Sequence, residues 1–151
     1  MIKKIHMSWE MFDEDINDFL GYIDNQSLGT KPVIIGLKRG GLPTSTTLSN
    51  KLDIPISVVS FQTRDNDDIV PNFLEPEMLK DATSIIIPDD IYDTGHTVET
   101  IVKSLVNDYN IPLDKIIGLF HYYTDKINDS KLKLRLSVRD NEGCWIVMPW
   151  E

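Results

Sequence analysis

Residues 84–100, with the sequence SIIIPDDIYDTGHTVET, contain the pattern that decides the fold of this chain. The run at residues 85–87 is β-branched and has no polar alternation, which is typical of a strand buried on both faces of a parallel sheet. An acidic loop with Asp89, Asp90 and Asp93 follows it. Apolar residues then recur at helical spacing, at Val98, Ile101, Val102 and Leu105. The stretch therefore predicts a strand, an acidic turn at the ligand-binding edge of a sheet, and a helix.

The predicted helix begins among small and hydroxylated residues: Thr94, Gly95, His96 and Thr97. Backbone N–H groups at a helix N-terminus, with a glycine that permits close approach and two threonine hydroxyls, make a receptor for a phosphate group. The carboxylates of Asp89 and Asp90 cannot bind phosphate, but they suit ribose hydroxyls and a Mg²⁺ ion. A structural explanation also stands: Asp93 or Thr94 caps the helix, and the acids complement its dipole.

The whole motif resembles the phosphoribosyl-pyrophosphate (PRPP) signature of type I phosphoribosyltransferases. The matching positions are Asp89, Asp90, Asp93, Thr94, Gly95 and Thr97. The resemblance implies that Asp89 and Asp90 hold the ribose hydroxyls and Mg²⁺, and that residues 93–97 grip the 5′-phosphate. It also makes Asp93 the candidate general base near the purine N7. An exposed Asp has a pKa of about 4, which is a poor match for a general base at neutral pH. The alternative is that Asp93 only orients the base.

A second predicted strand, VIIGL at residues 33–37, opens into a cationic, glycine-rich turn at residues 38–41, after which a helix begins at Leu42. Backbone donors beside Lys38 and Arg39 suit a leaving pyrophosphate, whose charge rises as its bond to the sugar breaks. In the family, a loop of this kind binds pyrophosphate and often contains a cis non-proline peptide. By that resemblance the pyrophosphate contacts are Lys38, Arg39 and Gly40. A tight turn with two solvated cations is the structural alternative.

The segment WIVMPWE at residues 145–151 resembles one in xanthine/guanine and hypoxanthine phosphoribosyltransferases. The resemblance implies that Trp145 stacks on the purine and that the backbone of Ile146 reads the base edge. Stacking of this kind contributes roughly 1–3 kcal/mol and tolerates different bases. The alternative is that the tryptophans fill the core or an interface, which is the preferred interpretation for Trp150.

A predicted strand at residues 115–123 carries the main departure from the family. Purine-specific members have a lysine just after this strand, which contacts the 6-oxo group of the base. Here residues 121–124 read HYYT, and the first lysine is Lys126. Either Lys126 takes that role after a small shift, or a tyrosine hydroxyl substitutes as a neutral donor. The choice among guanine, hypoxanthine and xanthine therefore stays open.

The remaining segments complete an alternation of strands and helices. Residues 9–23 predict an amphipathic helix capped by Ser8, and residues 56–61 predict a strand. Residues 62–77 are polar, acidic and broken by prolines, which indicates a mobile flap or an irregular excursion. The resemblance implies a flexible loop here that closes over the site. Its Arg64 either reaches pyrophosphate on closure or is an ordinary exposed arginine. Residues 131–138 alternate polar and apolar as an edge strand does, and they predict a hairpin with residues 144–150.

The alternation predicts one α/β domain over residues 1–151. We expect a mostly parallel central sheet flanked by helices, and the resemblance to the family implies a flexible flap and a small C-terminal base-binding hood. In such a sheet both site loops, at residues 38–41 and 89–97, follow strands, so they should converge on one edge. The predicted reaction is transfer of the phosphoribosyl group of PRPP to a 6-oxopurine, with Mg²⁺. Two alternatives are a non-catalytic PRPP- or nucleotide-sensing module and a metal-dependent phosphatase.

Composition limits the partners. A formal net charge of -9 and a pI near 4.7 disfavour nucleic-acid and anionic-membrane surfaces, which need clustered cations. Cys144 is the single cysteine, so no intramolecular disulfide forms, and the scattered histidines lack zinc-ligand spacing. No apolar run reaches the roughly 18–20 residues of a membrane span, and no leader opens the chain. We expect a cytoplasmic protein that, by the resemblance, forms a homodimer or homotetramer.

Overall fold

The computed structural model describes residues 1–63, 69–124 and 132–151. Its helices and strands, in chain order, are β1 (Lys4–His6), α1 (Trp9–Asp24), β2 (Pro32–Leu37), α2 (Leu42–Leu52), β3 (Ile56–Thr63), β4 (Ile69–Phe73), β5 (Ser84–Tyr92), α3 (His96–Tyr109), β6 (Ile116–Tyr123), β7 (Leu134–Asp140) and β8 (Trp145–Val147). Short 3₁₀ turns lie at Pro76–Leu79 and Leu113–Lys115. None of the helices in these ranges is long and apolar enough to cross a membrane.

Six strands form the main sheet, in the order β4-β3-β2-β5-β6-β7. Every neighbouring pair is parallel except β3 and β4, which are antiparallel. The isoleucines at residues 85–87 are fully buried in β5, near the centre of the sheet. This confirms the predicted α/β fold with a mostly parallel sheet, and it gives β5 the position from which a strand end reaches the ligand-binding edge.

Helices cover both faces of this sheet. One apolar cluster joins α3, through residues such as Val98 and Ile101, to the face that Ile85 and Ile87 present. A second cluster joins α1 and Leu48 of α2 to the face that Ile86 presents. The predicted helix cap is confirmed, since Met11 N–H donates to the Ser8 hydroxyl over 3.1 Å. Burial on both faces explains why β2, β5 and β6 read as continuous apolar runs.

The predicted C-terminal hairpin is wrong. Strand β7 pairs in parallel with β6, from Ile117↔Leu134 to Tyr123↔Asp140. Strand β8 leaves the main sheet and pairs in parallel with β1, through Lys4↔Trp145. The predicted edge strand is confirmed, since β7 is the last strand of the main sheet, where Leu134, Leu136 and Val138 pack against the second apolar cluster.

The segment predicted as an irregular flap contains regular structure. Residues 69–73 form β4, which pairs with β3 from Val59↔Phe73 to Thr63↔Ile69. Pro71 is tolerated because β4 is an edge strand, where a missing N–H donor breaks no central ladder. Phe73 anchors the strand with an exposed fraction of only 8%. Arg64 lies outside the described residues.

Candidate active site

Asp89 and Asp90 lie on the end of β5 rather than in a loop, which corrects the sequence prediction, whereas Asp93 lies in the loop that follows the strand. β5 pairs with β6 as far as Tyr92↔Tyr123, whereas its pairing with β2 stops at Ile34↔Ile86. Asp89 and Asp90 are therefore held by the ladder on one side only. On the other side they face the loop that follows β2. The long pairing with β6 is the physical reason why the strand continues past Pro88.

The two carboxylates are anchored by the backbone that follows them. Asp90 N–H donates to Asp89 Oδ1, and Ile91 N–H donates to Asp90 Oδ1, both over 2.8 Å. Burial raises the pKa of Asp89 well above its usual value, and the neighbouring Asp90 carboxylate raises that pKa further. A cation placed beside the pair would relieve this repulsion.

The same two carboxylates suit a Mg²⁺ ion that takes its other ligands from water and substrate. Over residues 1–63, 69–124 and 132–151, no group of three or more His, Cys, Asp or Glu side chains could hold a metal ion. Mg²⁺ does not need such a group, because it commonly binds one or two carboxylates together with water and substrate phosphate oxygens. Asp89 and Asp90 supply the carboxylate part of that set.

The cationic loop meets the acidic strand end, as the sequence predicts. A Cβ atom at Gly40 would overlap the Asp90 carboxylate, and one at Gly41 would lie 2.7 Å from the Pro88 carbonyl oxygen. Only glycine allows this approach. The Lys38–Arg39 peptide is cis, and both side chains are exposed. The backbone of the cationic loop therefore lies against the acidic end of β5.

The predicted phosphate loop leads into the N-terminus of α3. α3 begins at His96, and its N-cap is Gly95, with φ +77° and no side-chain cap. Neither Asp93 nor Thr94 is the N-cap residue, but the simpler explanation holds in part, because His96 N–H donates to the Thr94 hydroxyl over 3.3 Å. A Cβ at Gly95 would collide with the Tyr92 hydroxyl, which lies beneath the loop. The side chains of Asp93, Thr94, His96 and Thr97 are exposed.

Thr124 is a site neighbour that the sequence analysis did not single out. Its hydroxyl donates to Asp93 Oδ1 over 3.2 Å, and its N–H donates to the Tyr92 carbonyl over 3.3 Å. This residue comes directly after β6, beside the end of β5. It therefore orients the Asp93 carboxylate. The one signal in the sequence was its place after a predicted core strand.

The structure describes two of the three predicted base-binding residues, Trp145 and Ile146. The Trp145 side chain is 60% exposed, whereas Ile146 is buried in the apolar cluster that also contains Ile91 and Tyr122. Lys126 lies outside the described residues. Tyr122 pairs with Ile91 across the β5–β6 ladder.

The Tyr122 hydroxyl is a buried polar group without a hydrogen-bond partner in the described part of the chain. The whole residue is 1% exposed. Burial raises the pKa of Tyr122, and the Asp15 carboxylate raises it further against the opposing effect of Arg139. The hydroxyl is therefore protonated and neutral at ordinary pH. A buried hydroxyl without a partner costs about 1–3 kcal/mol.

A buried polar network beside this site was also missed. His121 hydrogen-bonds Asp15 and Thr44, and Arg139 donates to the Asp15 carboxylate. The available signal was Asp15 itself, an acid on the apolar face of α1 between Phe12 and residues 16–19. Its partners lie too far along the sequence for any local pattern to indicate them.

Comparisons with known proteins identify a family for this chain. The phosphoribosyl transferase domain family matches the chain over residues 8–145. The xanthine-guanine phosphoribosyltransferase of Cereibacter sphaeroides is 30% identical over 108 residues, which cover 66% of this chain and 64% of the relative. The chain thus spans less than two thirds of the length of that relative.

Solved structures share the architecture over nearly all of the chain. A purine phosphoribosyltransferase from Pyrococcus horikoshii has a TM-score of 0.75 and 28% identity, over 99% of this chain and 95% of that one. An adenine phosphoribosyltransferase from Thermoanaerobacter pseudethanolicus has a TM-score of 0.65 and 17% identity, over 85% and 80%. The second likeness shows the fold alone.

Proposed function

The chain belongs to the phosphoribosyl transferase domain family, and on this premise we propose that it transfers the phosphoribosyl group of PRPP to a 6-oxopurine. The base is guanine, hypoxanthine or xanthine, and the products are the nucleoside monophosphate and pyrophosphate, as in purine salvage. One observation carries the proposal: Gly40 of the cationic loop lies directly against the Asp90 carboxylate. That contact brings groups suited to pyrophosphate beside groups suited to ribose.

Each part of PRPP has a proposed set of contacts. Asp89 and Asp90 accept hydrogen bonds from the ribose hydroxyls. The 5′-phosphate binds the exposed N-terminus of α3, at Asp93, Thr94, Gly95, His96 and Thr97. The pyrophosphate binds Lys38, Arg39 and the backbone at Gly40, which stabilise its rising charge as the bond to the sugar breaks. Mg²⁺, held by Asp89 and Asp90, supplies further positive charge for the leaving group.

The base is proposed to bind between Trp145 and the ends of β5 and β6. The exposed Trp145 ring is free to stack on a purine, and Ile146 contributes its backbone. Lys126 and the Tyr122 hydroxyl both remain candidates for the 6-oxo group, and the hydroxyl, which is buried without a partner among the described residues, would have to be uncovered to reach a base. Asp93, oriented by Thr124, stands near the base as general base or as an orienting carboxylate.

A base panel tests the proposal. Purified protein with PRPP and Mg²⁺ is assayed by absorbance against guanine, hypoxanthine, xanthine, adenine and uracil, and nucleotide and pyrophosphate are both quantified. We expect turnover of at least one 6-oxopurine and none of uracil. Turnover of adenine alone would contradict the base class. PRPP binding without turnover of any base would support the sensing module instead.

We propose a homodimer or homotetramer that acts in the cytoplasm on small molecules and binds neither nucleic acid nor membranes. The net charge of -9 supports the last two points, since both kinds of surface select clustered cations. Light scattering of the purified protein measures the oligomeric state directly.

A further inference from the structure

A buried hydrogen-bond chain, which the proposed reaction does not use, joins α1, α2 and β6. His121 Nδ1 lies 2.8 Å from Asp15 Oδ2, and His121 Nε2 lies 2.7 Å from Thr44 Oγ1. All three residues have an exposed fraction of 0%. The imidazole therefore connects a residue of α1 to a residue of α2 through the core.

The surroundings hold the imidazole in one orientation. The Phe12 ring stacks on it at a centroid distance of 5.3 Å, and the Phe19 ring meets it edge-on at 5.0 Å. Asp15 is fixed in turn, because Arg139 Nε on β7 donates to its Oδ1 over 3.1 Å. Buried polar groups are costly unless all of them are paired, so this chain of hydrogen bonds tolerates little displacement of its members.

Thr44 carries this constraint to the cationic loop. It lies in the first turn of α2, which continues directly from residues 38–41. Leu42 N–H donates to the Arg39 carbonyl over 3.2 Å, and Ser45 N–H donates to the Gly41 carbonyl over 3.0 Å. A shift of Thr44 would therefore move the loop that faces Asp90.

We propose that His121 is a positioning residue for PRPP. Through its hydrogen bond with Thr44 it holds the first turn of α2, and hence the loop at residues 38–41, against the acidic end of β5. The inference rests on the proposed function, since that function assigns this loop to pyrophosphate. The affinity for PRPP, rather than for the base, then depends on the His121 side chain, which touches neither substrate.

Substitutions at Thr44 separate this role from a merely structural one. Thr44→Val keeps the shape of the side chain but removes the hydroxyl, whereas Thr44→Ser keeps the hydroxyl. Ser45→Ala is the matched control, because Ser45 is equally buried in the same turn and its hydroxyl lies 3.4 Å from the Ile35 carbonyl, away from His121. KM for PRPP, KM for the base and thermal stability are measured for each variant.

We expect Thr44→Val to raise KM for PRPP about five- to tenfold, the equivalent of one hydrogen bond, and to leave KM for the base unchanged. Thr44→Ser should restore the wild-type value, and Ser45→Ala should lower the melting temperature without changing either KM. His121→Asn, whose amide still reaches Asp15, should reproduce the Thr44→Val effect. The two substitutions together should not add, because they remove the same hydrogen bond.

Three results would overturn the inference: equal changes in both KM values, the same PRPP effect in Ser45→Ala, or full additivity of Thr44→Val and His121→Asn. Its failure is distinct from failure of the proposed function. Wild-type turnover with an unchanged KM for PRPP in Thr44→Val overturns the inference alone. Wild-type protein that forms no nucleotide and shows no PRPP binding by calorimetry overturns both.

Discussion

At the residue scale, the buried hydroxyl of Tyr122 lowers the stability of the free protein, because it has no hydrogen-bond partner among the described residues. A buried hydroxyl without a partner costs about 1–3 kcal/mol, and Phe lacks it while filling the same space. Tyr122→Phe should therefore hold or raise the melting temperature. If the hydroxyl contacts the base, the same change should raise KM for the base about tenfold. Calorimetry and steady-state kinetics measure the two effects.

Tyr123→Phe is the control for this prediction, because Tyr123 follows directly in β6 but packs against the other apolar cluster. We expect it to leave KM for the base unchanged. A Tyr122→Phe protein that is less stable, with wild-type KM for the base, would show that the hydroxyl serves the fold and not the ligand.

At the scale of elements, the turn between β5 and α3 depends on one glycine. Gly95 has φ +77°, and a Cβ there would also collide with the Tyr92 hydroxyl. Gly95→Ala should lose roughly 1 kcal/mol or more of unfolding free energy from the backbone alone. It should also weaken PRPP binding by at least about tenfold, since the displaced loop no longer presents its N–H groups to the phosphate.

Gly143→Ala separates these two contributions. Gly143 has nearly the same backbone conformation, with φ +71°, but a Cβ there would meet no atom within 4 Å. Its substitution should cost a similar backbone energy and leave PRPP binding intact. Equal losses of PRPP affinity in both variants, measured by calorimetry, would argue against a specific role of the β5–α3 turn.

Helices and strands could be predicted where burial in the core determines the local pattern of apolar residues. The apolar runs predicted β2, β3 and β6 to within about two residues, and the helical spacing predicted α1, because burial on one or two faces dictates these patterns. The partners of β7 and β8 were not predictable, since alternation tells which residues face the core and not which strand lies alongside. The Asp15–His121 contact spans 106 positions, so no local signal indicates it.

At the scale of the whole molecule, the net negative charge of the chain repels the proposed ligand, which is itself an anion. A net charge of -9 disfavours a multiply charged anion such as PRPP, and two carboxylates lie within its proposed site. We therefore expect PRPP to bind at least about tenfold more weakly in EDTA than in excess Mg²⁺, by titration calorimetry. The combined Asp89→Asn and Asp90→Asn variant should lose most of this dependence. Equal affinity with and without Mg²⁺ would contradict the proposed metal site.

The central claim is that the cationic loop and the acidic end of β5 form one site through the contact of Gly40 with Asp90. The most direct measurement compares PRPP-dependent nucleotide formation in Gly40→Ala and Gly21→Ala. A Cβ at Gly40 overlaps the Asp90 carboxylate, whereas one at Gly21, in α1, meets no atom within 4 Å. We predict that Gly40→Ala lowers kcat/KM for PRPP by at least about a hundredfold, through the misplaced loop, and that Gly21→Ala retains wild-type activity. Wild-type activity in both variants would contradict the account.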